Sequence, residues 1–599
     1  MASMTRPNDK KVIVIGGGPA GLTAAFRLCK LGVESVILEK DDVVGGISRT
    51  VHSDGYRFDL GGHRFFTKVK AVEDMWRNIL GDDLLRCSRI SRIYYDGKFF
   101  NYPLRPLNAL LGLGFWNSIL ILKSYLGAQL FPDIPEDRFE QWVANRFGKR
   151  LYSIFFKNYT EKVWGMPCGE ISAEWAAQRI KGLSLFSALK DALVRNSPND
   201  KKNVVKTLIG EFDYPRKGPG MMWETVADVV NKSGGQVHMK SEVQKIVWNK
   251  SRVDALEIAV NGQKEMIKGT DFISSMAIRD LIQCFEPGVP VEVSTAAEKL
   301  KYRDFLTVAL IVNKRDVFPD NWIYIHDPGV KVGRIQNYKN WSPDMVPDPD
   351  KSCLGLEYFC SEGDNLWEMS DQDLVDLGKE ELIAMGFIDG SDVESGAVVR
   401  MPKAYPVYDS QYREALRTVR EFISDIENLQ LVGRNGMHRY NNQDHSMLTA
   451  MLAVENILGA NHDVWSVNTD DEYHEMISNR DDLNTSDRAV IKVFARIDKL
   501  GFATSSGTVS GLFIFLATLW LVLSGNGATT QALQLLNQYF IGYTLTVRGS
   551  FIALGYTFIW GFLFGWLYAY LHNLFIAFYI FQVKRKLELI SFRDFLDHF

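Results

Sequence analysis

The chain has 599 residues, too many for one hydrophobic core, so two or three domains are expected. Its charges nearly balance, 68 Lys and Arg against 72 Asp and Glu for a net of −4, which gives no electrostatic case for nucleic acid as a partner. Six cysteines (Cys29, Cys87, Cys168, Cys284, Cys353, Cys360) show neither a C-x-x-C pair nor metal-ligand spacing, so ordinary thiols in a reducing compartment are expected and no metal.

In chain order, Met1 to Lys11 is polar and charged and reads as no signal peptide. Val12 to Ile15 then forms an apolar strand that runs into Gly16-Gly17-Gly18-Pro19-Ala20-Gly21 and an amphipathic helix, Leu22 to Leu31. Glu39 closes the next strand, 18 positions past Gly21. Glycine turn, helix and acid at these spacings make a complete βαβ unit for a dinucleotide. Gly16 permits the tight turn, Gly18 lets the backbone approach a pyrophosphate, and Gly21 lets helix and strand pack closely. The helix N-terminus offers N–H groups and a positive dipole end, and Glu39 would accept hydrogen bonds from ribose hydroxyls. A second glycine pair follows, Gly45-Gly46-Ile47-Ser48-Arg49-Thr50.

Residues 71–212 show mainly helical periodicity, interrupted at Tyr94-Tyr95-Asp96-Gly97-Lys98-Phe99 by an expected hairpin with an Asp-Gly turn. Gln236 to Asn249, which contains Val243, alternates apolar and polar residues as a strand, and Asp271 to Ser275 reads as a buried strand ending near the dinucleotide. Phe305 to Val312 and Gly355 to Phe359 read as strands of a second sheet, and Leu429 to Gly433 returns the chain to the first. The expected fold class is α/β: a Rossmann-like domain with a helical insertion and a second, antiparallel sheet, followed by a C-terminal helical hairpin. The boundaries are about 1–70, 215–285 and 425–460 for the dinucleotide-binding parts, 71–212 for the insertion and 286–424 for the second sheet.

Beyond residue 480 the character of the chain changes. Residues 500–583 carry a single charged side chain, Arg548. Within them Thr508 to Ser524 is roughly 26 Å of apolar helix, and Ser550 to Val583 is longer and aromatic, so two transmembrane helices are expected at about 508–525 and 550–575. Lys492, Arg496 and Lys499 precede the first span and Lys584, Arg585 and Lys586 follow the second, which places both termini in the cytoplasm at the inner membrane. The connector Ala528 to Tyr543 reads as an amphipathic helix at the far interface, and Leu587 to Phe599 either as a second such stretch on the near side or as a packed soluble helix. A two-helix anchor is often completed by self-association, so a homodimer is an expected partner.

The glycine pair Gly45-Gly46 followed by Arg49 resembles the FAD-binding amine oxidase and mutase superfamily, which makes FAD the expected dinucleotide. Leu151 to Gly165 (LYSIFFKNYTEKVWG) closely resembles the substrate-helix motif of the UDP-galactopyranose mutases. Further resemblances follow in the family's order: Gly61-Gly62-His63-Arg64-Phe65-Phe66, Arg179-Ile180, Tyr302-Arg303, Gly333-Arg334-Ile335-Gln336-Asn337, and Gly433-Arg434 with Tyr440 and Asp444. The resemblance implies catalytic roles for His63, Arg179, Arg334 and Tyr440, with the two arginines clamping phosphate. It implies substrate contacts from Phe155, Tyr159, Trp164, Arg303 and Tyr408. It implies FAD contacts from Gly16, Gly18, Gly21, Glu39, Gly45, Gly46, Arg49, Gly62, Val243, Gly433 and Arg434. Taken singly, Arg303 and Phe155 read equally well as salt bridging and core packing.

In that family reduced FAD is a nucleophile: its N5 attacks the anomeric carbon, phosphate leaves, and the sugar recloses through another hydroxyl. The departures from the family pattern are as informative. Gly62 and Phe66 replace a proline and a histidine, and the segment that normally helps hold uridine is replaced by amphipathic Lys181 to Asn196 and a polar stretch with Asn199, Lys201 and Lys202. With the anchor, these imply a polyprenyl-phosphate hexose, galactose by family resemblance, as substrate, membrane lipid as surroundings, and an NAD(P)H-dependent or other reductant. A tethered nucleotide-sugar mutase, an FAD-dependent lipid oxidase or desaturase, and a non-catalytic assembly module are the alternatives.

Overall fold

The computed structural model describes residues 10–173 except 103 and 105, 210–468 except 261, 498–524 and 535–596. The chain divides into two compact units, Met1–Ile477 and Ser478–Phe599.

The first unit is built on a five-stranded parallel sheet in the order Leu429–Leu431, Asp271–Ser274, β1 (Lys11–Ile15), β2 (Glu34–Leu38) and Gln236–His238. Val12, Ile13 and Val14 are fully buried because this sheet is covered on both faces, as continuous apolar strands require. Helix α1 (Pro19–Lys30) lies on it through Leu22, Ala24, Ala25 and Leu28. The alternation over Gln236–Asn249 does not make one strand. The chain breaks at Lys240 (φ 52°), giving Gln236–His238 to the parallel sheet and Ser241–Trp248 to a separate four-stranded sheet.

The second large sheet has seven strands: Val393–Pro406, Tyr302–Val312, Ser352–Cys360, Arg334–Asn337, Trp322–Ile325, Ser91–Tyr95 and Lys98–Asn101. It is mixed and not purely antiparallel, because Trp322–Ile325 pairs in parallel with Ser91–Tyr95. Those last two strands are the hairpin seen in the sequence. Positive φ at Asp96 (52°) and Gly97 (68°) gives the primed turn whose twist suits paired strands. The hairpin thus leaves the helical insertion and extends the second sheet, where Tyr94 finds apolar neighbours at Ile323 and Ile325. Among the helices of the described insertion are Phe115–Leu130, Phe139–Phe147 and Asn158–Trp164, the last entered through a π-helical turn at Ser153–Lys157.

The second unit contains helices Lys499–Leu523 and Val547–Leu596. The stretches Lys499–Leu523 and Val547–Leu574 are long and apolar enough to cross a membrane, and only 17% of either is buried, unlike the core helix of a soluble protein. They pack through small residues: a Cβ on Gly507 would sit 2.7 Å from the Phe558 carbonyl oxygen. The expected interfacial helix in the connector is not what its described part forms. Leu535–Gln538 is one 3₁₀ turn, and Phe540 and Tyr543 turn inward, Tyr543 sharing a hydrogen bond with Thr518 at 3.1 Å; residues 528–534 lie outside the described residues. From Leu587 the backbone simply continues the long helix to Leu596.

Candidate active site

The glycine-rich turns meet at the carboxyl ends of β1 and β2. The helix α1 starts at Gly18 with no side-chain cap and no acid in its first turn, so its N–H groups and dipole face outward. A Cβ on Gly21 would lie 1.9 Å from the Gly16 carbonyl oxygen, and one on Gly16 would lie 2.3 Å from Ser275 Oγ. Gly45 N–H donates to the Gly17 carbonyl at 2.9 Å, and a Cβ on Gly46 would be 3.4 Å from Gly18 Cα. Gly433 closes the other side, its Cβ position 3.1 Å from Ala20 Cβ. The result is a bare backbone cradle of the size and polarity that a pyrophosphate needs.

Glu39 is buried at the rim of this cradle, and burial holds its carboxyl above the usual pKa. Its Oε2 accepts from Gly17 N–H at 2.6 Å and its Oε1 from Asp41 N–H at 2.9 Å. Two backbone donors fix the carboxylate and leave lone pairs for ribose hydroxyls. Arg49 is tied to Asp41 at 2.8 Å, and Val243 is buried two residues after Ser241, whose N–H donates to the Glu39 carbonyl at 2.8 Å. Glycines that a Cβ would clash against, a free helix start and an oriented acid fit FAD.

A second cluster lies where the His63 loop meets the seven-stranded sheet. A Cβ on Gly61 would be 3.7 Å from His63 Cε1 and 3.8 Å from Arg334 Nη2, which measures how closely these groups converge; the neighbouring Gly62 is exposed, and a Cβ there would be 3.1 Å from Gln336 Nε2. Arg334 sits opposite Glu357 in the antiparallel register and ion-pairs with it, Nε donating to Oε2 at 2.9 Å. Gln336 Nε2 holds the other Glu357 oxygen at 2.7 Å. Glu357 is fully buried, so it is a fixed anchor for the guanidinium. Burial and the nearby Arg434 and Arg334 charges push the His63 pKa down to about 3, and its Nδ1 is buried without a hydrogen-bond partner. His63 is therefore neutral, with a ring nitrogen left for a bound group.

Aromatic rings wall this cluster. Tyr405 and Tyr440 stack at 5.6 Å, and Arg434 lies 4.6 Å over the Tyr440 ring while its Nε donates to the Asn441 carbonyl at 2.9 Å. Tyr159 stacks on His326 at 4.7 Å and meets Tyr324 edge-on at 5.6 Å. Burial alone would raise the Tyr324 pKa, yet Arg64, Arg334 and Arg89 hold it below its ordinary value. Three guanidinium groups thus act together on the Tyr324 hydroxyl. Trp164 and Tyr408 share a small apolar hollow with Met166, Ile171 and Val407, and Tyr408 Oη accepts from the Tyr440 N–H at 2.7 Å.

Two expected substrate contacts have other partners in the structure. Arg303 donates to the Val163 and Phe359 carbonyls (3.3 and 2.9 Å) and to Ser361 Oγ (2.6 Å), and lies under Gly165, so it locks the Asn158–Trp164 helix onto the sheet. Phe155 is buried edge-on against Phe100 at 5.0 Å and is core. Arg179 and the segments at 181–196 and 199–202 lie outside the described residues. The sequence reading missed Arg89, Tyr324, His326, Glu357 and Tyr405, and quoted Arg64 without a role. Glu357, a lone acid inside the apolar run Leu354 to Phe359, is the one that carried a visible signal, since a buried charge implies a partner.

His326 and His438 are buried, and burial lowers their pKa values from 6.5 to about 3 and about 4. The unfolded chain takes up their protons below pH 6.5 and the folded chain does not, so each costs stability as pH falls from 6.5 toward 4, about 1.4 kcal/mol per unit. Asp59, pushed up to about 7 by burial, acts in the opposite sense. Between pH 8 and 5, His438→Gln is expected to lose about 2 kcal/mol less stability than the parent chain, measured by denaturant titration. An unchanged pH slope would contradict a neutral buried His438.

Residues 19–442 match the family model described as flavin containing amine oxidoreductase. The phytoene desaturase of Fusarium fujikuroi is 39% identical over 99 residues, 15% of this chain and 17% of that protein. A probable UDP-galactopyranose mutase of Klebsiella pneumoniae is 24% identical over 183 residues, 28% of this chain and 44% of that protein. The chain thus spans less than half the length of either relative. The crystal structure of reduced UDP-galactopyranose mutase superposes with a TM-score of 0.67 at 21% identity, covering 78% of this chain and 99% of that one, a likeness of fold.

Proposed function

This chain belongs to the flavin containing amine oxidoreductase family, and on that premise we propose that it is a membrane-anchored mutase interconverting pyranose and furanose forms of a hexose carried on a polyprenyl phosphate, galactose foremost. FAD is its cofactor. The observation that carries the reading is Arg334, fixed by buried Glu357 beside neutral His63, with the Tyr159, Tyr324 and Tyr405 hydroxyls close enough to feel its charge. When bound and reduced, FAD supplies nucleophilic chemistry at an anomeric carbon without net redox change.

The chain's own residues do the rest. The glycine cradle and Glu39 orient the dinucleotide. Arg334 uses Nε and Nη2 on Glu357, which leaves Nη1 to stabilise the charge that develops on a departing phosphate. His63 stays uncharged, so it adds no further cation to the arginines around it. Tyr159, Trp164 and Tyr440 offer flat faces to a sugar ring. The two apolar C-terminal helices and the replaced uridine-holding segment support a lipid carrier, with the helices in the inner membrane, both termini cytoplasmic and an NAD(P)H-dependent or other reductant recharging the flavin.

The test is to incubate dithionite-reduced full-length protein with polyprenyl-phosphate galactose and, separately, with UDP-galactopyranose, and to assay furanose. Furanose from the lipid substrate is expected. Turnover of the nucleotide sugar alone would overturn the lipid carrier. Oxygen or quinone consumption with a lipid substrate and no furanose would favour a desaturase, the reading to which the phytoene desaturase likeness points.

A further inference from the structure

The Phe115–Leu130 helix carries one charged side chain, Lys123, and its few polar residues are scattered round it. One face is docked: Ile121 is buried, and a Cβ on Gly148 would come within 2.7 Å of Tyr125 N. The other face is open. Phe115, Ile119, Leu122, Leu126 and Leu130 follow at steps of four, three, four and four residues, which puts them on a single stripe, with Trp116 beside it. Phe115 is 72% exposed, Trp116 76% and Leu130 72%, and the following loop continues the stripe with Phe131 and Ile134, both 81% exposed. A contiguous apolar strip about 24 Å long marks an interaction surface, not ordinary scatter of surface leucines.

We propose that this helix lies flat on an anionic lipid bilayer and seats the flavin-binding unit on the membrane surface. The rim has the composition of an interfacial helix. Trp116 and Phe115 stand at one end, where aromatic rings prefer the headgroup boundary. Lys123 is exposed beside the stripe, while exposed Arg150 lies on the far side of the helix, donating to Asn117 Oδ1 at 2.8 Å; the acids nearest the stripe are neutralised, Asp133 by Lys149 at 3.1 Å and Glu136 by Arg146 at 2.9 Å. An exposed cation with paired acids suits anionic headgroups. The chain also carries two helices long and apolar enough to cross a bilayer, so a membrane is the partner that it would always have at hand. The docking rests on that anchoring reading for its setting and not on the sugar chemistry.

Full-length, FAD-loaded Leu126→Cys protein is labelled with an environment-sensitive fluorophore and reconstituted into phosphatidylglycerol-containing vesicles, with or without lipids bearing a nitroxide near the headgroup. The native cysteines are buried or half-buried, so the introduced thiol reacts first. Insertion about 5–10 Å into the headgroup boundary predicts a blue-shifted emission quenched about twofold or more by the nitroxide lipid. A label at exposed Val291→Cys stays water-like, and adding Leu122→Glu weakens the Leu126 signal. A water-like, unquenched Leu126 label overturns the proposal. So does a blue-shifted label that ignores the nitroxide: loss of the shift on lowering the protein-to-lipid ratio would mean that a second copy covers the face, and its persistence would mean that a segment of the same chain does. A label at Leu516→Cys separates the readings: unquenched by a deep nitroxide while Leu126 is quenched, it would remove the anchoring and leave the docking supported.

Discussion

Gly21→Ala is expected to give protein that purifies without FAD. The added Cβ would stand 1.9 Å from the Gly16 carbonyl oxygen, far inside van der Waals contact, and neither partner can yield cheaply. Gly16 belongs to the turn leaving β1, with φ at 97° and its own Cβ position closed off by Ser275 Oγ. Relief requires α1 to retreat from the sheet or the turn to move, and either shift takes the helix N-terminus away from the pyrophosphate. A loss of at least about 100-fold in FAD affinity, about 2.7 kcal/mol, is expected, read from the flavin absorbance of purified protein and by titration of the apoprotein. Gly127→Ala is the matched control, since nothing lies within 4 Å of its Cβ, and it should keep its flavin. Full occupancy in the Gly21→Ala protein would place the dinucleotide elsewhere.

The second large effect separates chemistry from scaffolding at the Arg334–Glu357 pair. Arg334→Ala should lower furanose formation by about 10²- to 10³-fold, the range for removing a fixed electrostatic group that acts on developing charge. Glu357→Leu should destabilise the unit by about 3–5 kcal/mol, because it leaves a guanidinium in a buried site without its counter-charge. The double variant Arg334→Leu with Glu357→Leu should recover much of that stability, since no buried charge is then stranded, and should recover none of the turnover. Thermal unfolding and single-turnover assays read the two quantities independently. Near-parental turnover in Arg334→Ala, with flavin bound, would remove phosphate clamping from this residue.

Local signals in the sequence were strong where one short segment makes a whole structural unit. The run from Val12 to Glu39 contains strand, turn, helix and acid, and all four form as read. Asp96-Gly97 declares its hairpin turn because the primed turn demands positive φ at both positions. The reading faltered where a local pattern has two outcomes. The alternation of Gln236 to Asn249 is consistent with one long strand or two short ones, and only the sheets that receive Gln236–His238 and Ser241–Trp248 decide it. Arg303, expected as a substrate contact with salt bridging as the alternative, had two outcomes in the same way. A guanidinium serves a carbonyl as well as an anion, and the neighbours Val163, Phe359 and Ser361 chose the former.

By itself the sequence determined the dinucleotide unit, the α/β class and the two apolar helices near the C-terminus, which depend on spacing and composition within one stretch of chain. The interest in His63, Tyr159, Trp164, Arg334, Arg434 and Tyr440 came instead from the resemblance to the mutases. Tertiary structure alone decided the partners. Glu357 reaches Arg334 from 23 residues away through strand register, and Arg64 and Arg89 converge on Tyr324 from a loop and an edge segment. It also decided which face of the Phe115–Leu130 helix is covered, since its few polar residues are scattered round it and mark no exposed face in advance. Charge pairing and burial are properties of what lies across the fold, and residues distant in the chain supply them.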